Sequence, residues 1–417
     1  MKKIIAISVM FALIAGAVFA DTSIGGAVET RFSLARQTGG DGDDPTMGGS
    51  IGAAQFVFSG SNAEGTLGGM FRYKQTNEGK GNGGEALYDR VFVWWKPVEQ
   101  VKIFLGIDQD GLFDTGDFMC WGYHAGDNDY LFNHHWDFWR QAFPGNWDGF
   151  GLAFSFYPIP GLDINLALPT GSVGWRQAPE ASVFLGRPIS NPDSDTPTGM
   201  LPGRLRFVAN YSLDFGKISL VYIGGGAAKE KNTVYNGKND GNDPNAIGAN
   251  IGIIDAKNNG IFGLSALITA IEGIQIKVGG AILLNDESDN IINAGLGVVY
   301  NGEGFGVKFR AGLQMQKDMN GPIVTTKVGD GDMLITGSIM PFFAVGDNGQ
   351  VLVDIGVTSW GGEMGWFVTP AYRLGIEGGA FKIGLQVWNN IQMGGNILIS
   401  GSDFVRWNIP MLLAFNF

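Results

Sequence analysis

Residues able to do chemistry are few, and they are crowded into one stretch. The three histidines, His124, His134 and His135, and the single cysteine, Cys120, all fall between residues 109 and 148. Cys120-x-x-x-His124 with His134-His135 has ligand types suited to zinc. Adjacent histidines rarely converge on one ion without a special bend, so no metal centre is expected. A Ser/His pair for ester hydrolysis on the wall of a sheet would need a histidine on a strand, and none of the strand-like segments holds one. Gly40–Asp44 and Asn236–Asp243 are rich in Gly, Asp and Asn but lack the ordered spacing of a calcium loop. The sequence therefore predicts no enzyme and no cofactor. The formal net charge of −12, from 40 acidic and 28 basic residues, argues against a nucleic-acid partner. One cysteine rules out an internal disulfide framework.

The charged residues that remain are patterned, and the pattern points to a wall. From Phe305 to Gln316, Phe305, Val307, Phe309, Ala311, Leu313 and Met315 share one face of an extended chain. Gly306, Lys308, Arg310, Gly312, Gln314 and Gln316 share the other. Period-two alternation of this kind marks a strand with one greasy and one wet face. It recurs along the chain. Ile24, Val28, Phe32 and Leu34 oppose Glu29, Arg31 and Ser33; Ile274, Ile276, Val278 and Ile282 oppose Gln275 and Lys277; Phe381, Ile383, Leu385 and Val387 oppose Lys382 and Gln386. In these segments no charge falls on the apolar face. A Lys or Arg facing mid-bilayer would cost roughly 2–4 kcal/mol, so the absence is informative.

Eighteen strands are predicted, near 23–36, 49–60, 66–76, 87–96, 101–108, 149–157, 162–169, 204–213, 217–228, 260–270, 274–284, 291–301, 305–316, 332–345, 350–359, 364–376, 380–389 and 403–417. Sixteen is the alternative count, and 245–255, with Ile247, Ala249, Ile251 and Ile253, could add a strand. Connections after even strands are short, as in Asp214-Phe215-Gly216; those after odd strands are often long, as in 109–148 and 170–203. Met1-Lys2-Lys3, the apolar run Ile4–Phe19 and Val18-Phe19-Ala20 read as a signal peptide cleaved after Ala20. No later apolar run approaches the ~18 residues that a membrane helix needs. A membrane chain without such helices must close its sheet, because lipid cannot hydrogen-bond an open edge. The expected fold is thus all-β: residues 21–417 form a single transmembrane antiparallel β-barrel with short periplasmic turns and long outer loops. A two-sheet sandwich also alternates, but it does not sort its loop lengths to one side.

The chain ends Trp407-Asn408-Ile409-Pro410-Met411-Leu412-Leu413-Ala414-Phe415-Asn416-Phe417, with Phe417, Phe415, Leu413, Met411, Ile409 and Trp407 on one face. This resembles the terminal strand of bacterial outer-membrane proteins. The resemblance implies that Phe415 and Phe417 form part of a signal for the barrel-assembly machinery. The whole chain from residue 21 resembles the porin class. That implies an outer-membrane location in a diderm bacterium, contact with outer-membrane lipid, passage of small hydrophilic solutes and a possible homotrimer.

At sixteen to eighteen strands a barrel encloses an aqueous channel. On the alternation, Arg31, Arg72, Lys74, Lys102, Arg204, Arg206, Lys277, Lys308, Arg310, Arg373 and Lys382 face inward, against Glu29, Asp108, Asp163 and Asp354. The longest connection, 109–148, holds Asp110, Asp114, Asp117, Asp127, Asp129 and Asp137. General porins fold their third outer loop into the lumen, so the resemblance implies that this loop narrows the channel opposite a basic wall. The expectation is a pore for passive diffusion of small solutes and ions. The alternatives are a channel selective for sugars or other nutrients, using loop aromatics such as Trp136 and Trp139, and a surface adhesin on a barrel scaffold.

Overall fold

The computed structural model describes residues 21–37, 44–76, 85–108, 150–170, 206–224, 258–285, 291–315, 333–360, 363–389 and 404–416. They form one antiparallel sheet whose last strand returns to its first. The strands are β1 (Asp21–Gln37), β2 (Thr46–Ser61), β3 (Leu67–Thr76), β4 (Glu85–Val98), β5 (Val101–Asp108), β6 (Phe150–Phe156), β7 (Leu162–Thr170), β8 (Arg206–Leu213), β9 (Gly216–Gly224) and β10 (Asn258–Ile268). The series continues with β11 (Ile274–Asn285), β12 (Ile291–Asn301), β13 (Phe305–Met315), β14 (Met333–Val345), β15 (Gly349–Trp360), β16 (Glu363–Ile376), β17 (Gly379–Gly384), β18 (Gln386–Asn389) and β19 (Val405–Asn416). Both β17 and β18 lie between β16 and β19, and only Leu385 separates them. The Leu385 N–H still donates to the Pro370 carbonyl at 3.0 Å. They are two halves of one strand, so the barrel has eighteen strands, and sixteen is excluded.

Each strand pairs with its sequence neighbour, and β19 closes the ring on β1 through pairs such as Val28↔Phe415 and Phe32↔Met411. Closure satisfies the backbone groups that an edge would leave open. Described strand ends lie within three residues of the sequence expectation, except that β9 is described only to Gly224 against an expected 228. Arg204 lies outside the described residues, as do residues 1–20, Ile247–Ile253 and Phe417.

Short turns join β2–β3, β4–β5, β6–β7, β8–β9, β10–β11, β12–β13, β14–β15 and β16–β17 at one rim. Gly304 and Gly346 take φ of 72° and 66° there, a left-handed conformation that glycine enters without a Cβ clash. The turns are also bonded to one another around the ring: the Ala344 N–H donates to the Gly304 carbonyl at 2.9 Å, and the Gly375 N–H to the Asn348 carbonyl at 2.8 Å.

Alternation sorts the side chains as expected. Ile335, Ile339, Val351, Ile355 and Val357 are exposed on the outer wall, while Ser338, Met340, Leu352 and Asp354 between them are buried on the inner one. Inner-wall packing works by size matching. Trp94 lies over Gly68, Phe342 over Gly306 and Phe367 over Gly356, and each ring is the direct cross-strand partner of its glycine. Phe367 is thereby only 1% exposed. A flat ring shields the bare glycine backbone and packs against the neighbouring strand. Replacing Gly356 with Ala would push a methyl into the Phe367 ring, and overpacking of this sort costs about 1–3 kcal/mol. Gly337→Ala meets nothing nearer than the Arg310 carbonyl at 3.6 Å. Denaturant unfolding in detergent micelles should therefore show G356A clearly destabilised and G337A close to wild type.

Candidate functional site: the inner wall

The inner wall is organised in tiers set by register. On β13–β19 one tier runs through Arg310, Ser338, Gly356, Phe367, Trp388 and Arg406, each opposite the next across the sheet. The tier toward the short-turn rim holds Lys308, opposite Met340, and Asp354, opposite Thr369; Gln386 and Asn408 face each other in the same tier. Lys308, Met340, Asp354, Thr369 and Gln386 are all buried. Nearer the rim, Arg373 stands opposite both Gln350 and Lys382.

Asp354 is the acidic centre of this surface. It is 2% exposed, and neither carboxylate oxygen accepts a hydrogen bond among the described residues. The positive charges of Arg310 and Lys308 act on it. Attraction of this kind offsets part of the cost of holding a carboxylate away from bulk water. Asn408 Nδ2 donates to Gln386 Oε1 at 3.1 Å, while the Asn408 carbonyl oxygen and the Trp388 indole N–H find no partner among the described residues. Across the barrel, the Ser155 hydroxyl donates to Asn165 Oδ1, and Asn165 Nδ2 donates to Asp163 Oδ1 at 2.8 Å.

A second basic patch sits on β4 and β5. The Lys102 ammonium lies 4.4 Å from the Trp94 ring centre and 4.6 Å from that of Phe104; Lys96 lies 5.6 Å from Trp94. Phe92 meets Phe104 edge-on at 6.1 Å. Ring faces attract the ammonium while its hydration is reduced. Trp95, next in the chain, is exposed on the outer wall, so the two adjacent tryptophans divide between the faces.

The basic positions expected from sequence divide as follows. Arg72, Lys308 and Lys382 are buried on the inner face, and Lys102, Lys277, Arg310 and Arg373 share its parity, partly covered. Arg31, Lys74 and Arg206 are described through their backbones, which sit at inner-face register positions such as Arg31↔Leu412. Arg204 and all six loop carboxylates, Asp110, Asp114, Asp117, Asp127, Asp129 and Asp137, lie outside the described residues, as do Cys120 and the three histidines. Among the described residues, no cluster of His, Cys, Asp or Glu could hold a metal. Sequence reasoning missed Lys96, Lys217 and Arg406. Lys96 and Lys217 carry the parity of Trp94 and Ser219, and that signal was available.

No protein-family model matches the chain, and no curated protein does. Solved structures do. The anion-selective porin from Comamonas acidovorans is 11% identical, with a TM-score of 0.50, over 95% of this chain and 99% of that one. OmpF of Salmonella typhi, solved in complex with daunomycin, is 12% identical, with a TM-score of 0.50, over 95% of this chain and 97% of that one. At such identities the likeness is one of fold: a porin-like closed barrel.

The division of faces has a direct readout. In a Cys120→Ser background, Arg310→Cys should react in proteoliposomes with a charged, membrane-impermeant thiosulfonate. Phe309→Cys, one residue away on the lipid side, should not. Equal labelling of both would contradict the assignment of faces.

Proposed function

We propose that this porin-like barrel is an outer-membrane channel through which small hydrophilic solutes and ions diffuse passively, and that the basic inner wall biases which ions pass. The observation that carries the reading is where unmet polar groups lie. The buried side-chain atoms without hydrogen-bond partners among the described residues include the Ser219 hydroxyl, both Asp354 oxygens, the Trp388 N–H and the Asn408 carbonyl. Each belongs to the inner face, and Asp354 is the one on which the charges of Arg310 and Lys308 act. Leaving such a group unsatisfied costs roughly 1–3 kcal/mol. Ordered water in a hydrated lumen supplies the missing partners. An outer wall of exposed Ile, Val, Leu and Phe suits lipid and makes no such demand.

On this reading transport needs no moving part. Solute enters down its gradient, and the low-dielectric wall focuses the field of its charges on the passing ion. Lys277, Lys308, Arg310, Arg373 and Lys382 on β11–β17 outnumber Asp354 there, which favours anions near that wall. The connection 109–148, with Asp110, Asp114, Asp117, Asp127, Asp129 and Asp137, supplies the opposing negative side of a constriction. Opposed charges make net selectivity modest. The C-terminal strand, with Phe415 exposed on the lipid face, carries the recognition element for barrel assembly, and residues 1–20 the export signal. A homotrimer in outer-membrane lipid completes the proposal.

Reversal potentials across planar bilayers in a KCl gradient test the wall. The triple variant Lys308→Glu, Arg310→Glu, Lys382→Glu should shift the reversal potential toward cation preference. An unchanged potential would remove the basic wall from the mechanism. Deleting 112–146 should raise single-channel conductance; the same conductance as wild type would show that the loop does not narrow the pore.

A further inference from the structure

The short-turn rim is chemically two-sided. Three consecutive turns, β6–β7, β8–β9 and β10–β11, carry Ile159, Phe215 and Ile271, exposed by 54, 53 and 55%, and the β4–β5 turn beside them follows Val98, the exposed last residue of β4. The other four turns carry Asn62 and Glu64, Glu303 between two glycines, Asp347 and Asn348, and Glu377 and Gly378. No large apolar residue is exposed within the residues that connect the strands in those four. Because the strands run in chain order around the ring, the apolar tips form one continuous arc and the polar tips the complementary one.

Two features separate this arc from scattered surface hydrophobics. The first is continuity with the lipid-facing wall. Exposed apolar side chains lead from wall to tip: Trp95 to Val98, then Phe156 and Tyr157 to Ile159, Tyr211 to Phe215 and Ile268 to Ile271. On the opposite arc exposed Leu67, Tyr300, Phe305 and Val345 stay at or near the strand ends, and the turns between them carry Glu64, Glu303 and Asp347. The second is rigidity. The Tyr157 N–H donates to the Gln100 carbonyl at 2.9 Å, Ser212 to Gly161 at 2.8 Å and Thr269 to Phe215 at 2.7 Å, so each turn is tied to the next. Within turns, the Leu162 N–H donates to the Ile159 carbonyl at 3.1 Å and Ile274 to Ile271 at 3.0 Å. Pro158 and Pro160 bracket Ile159. These bonds fix the backbone of the tips at the rim, where their apolar side chains are exposed.

We infer that the β4–β11 arc of the short-turn rim is a lipid-contact surface, immersed in the boundary between headgroups and acyl chains, while the polar arc stands in water. The barrel therefore sits tilted, with its β4–β11 side deeper at this leaflet. Apolar tips favour the acyl boundary. Glu99, Asp214 and Glu272, exposed in the same turns, limit the depth to the headgroup level. The inference rests on the membrane reading given above, and it adds an orientation which that reading does not require.

Spin labels on single cysteines test it, in a Cys120→Ser background reconstituted into phosphatidylcholine vesicles. The positions are Phe215→Cys and Ile159→Cys on the apolar arc, Glu303→Cys on the polar arc and Ile355→Cys at mid-wall. Collision with oxygen against a water-soluble nickel chelate reads depth. Labels at 215 and 159 should favour oxygen over the chelate several-fold more than the label at 303, and less than the one at 355. Equal chelate access at 215, 159 and 303 overturns the tilt while 355 still reports lipid. Poor access of both reagents at 215 and 159 overturns it too, because protein rather than lipid would then cover the arc. A watery 355 would instead remove the membrane reading itself.

Discussion

Hydrogen-bond satisfaction of the backbone in lipid governs this molecule. A strand edge in a bilayer exposes N–H and C=O groups that nothing can meet, at several kcal/mol per group. The pairing of β19 with β1 removes that edge. It does so with register pairs that place Phe415 and Met411 outward and Leu412 inward, so the seam continues both walls without a step. Once the ring is closed at eighteen strands, alternation leaves no choice: even and odd positions of every strand must separate into a lipid-facing and an inward-facing surface. The short turns inherit their tightness from the same demand, since each must return the chain to the adjacent strand and bond to its neighbours around the rim.

Given closure, the inner wall has to reconcile packing with charge. Glycines let rings lie flat, as Phe367 does over Gly356, which thickens the wall without lengthening its strands. Charges then sit between those rings. Lys102 is held by Trp94 and Phe104, and Asp354 by the fields of Arg310 and Lys308. Fixed charges on a rigid sheet do not relax toward a passing ion, and the selectivity proposed for the wall rests on that.

Much of this was legible in the residues, for a physical reason. Lipid imposes one rule on all outward positions, so β13 could be divided into faces by reading alone, and repeated alternation gave eighteen strands as the leading count beside an alternative of sixteen. What stayed hidden depends on register between strands. That Trp388 stands opposite Arg406 and Phe367, or that Gln386 faces Asn408, is fixed by the stagger of the ring, and no alternation within one strand encodes it. Lys96 closes the segment expected as a strand at 87–96 and was not named among the wall bases; the strand runs on to Val98, with an irregularity in its pairing between Trp95 and Val98. The interruption at Leu385 is likewise invisible in a segment that alternates cleanly. Arg204, the 109–148 carboxylates and Phe417 lie outside the described residues, so their sequence reading stands as a proposal.

The central claim is a sealed cylinder with a continuous aqueous path. Single-channel recording of the purified, refolded protein in a planar bilayer in KCl addresses it most directly. The account predicts discrete conductance steps that scale with salt concentration and are linear in voltage at low potentials. A correctly inserted, heat-modifiable protein that produces no steps would contradict it.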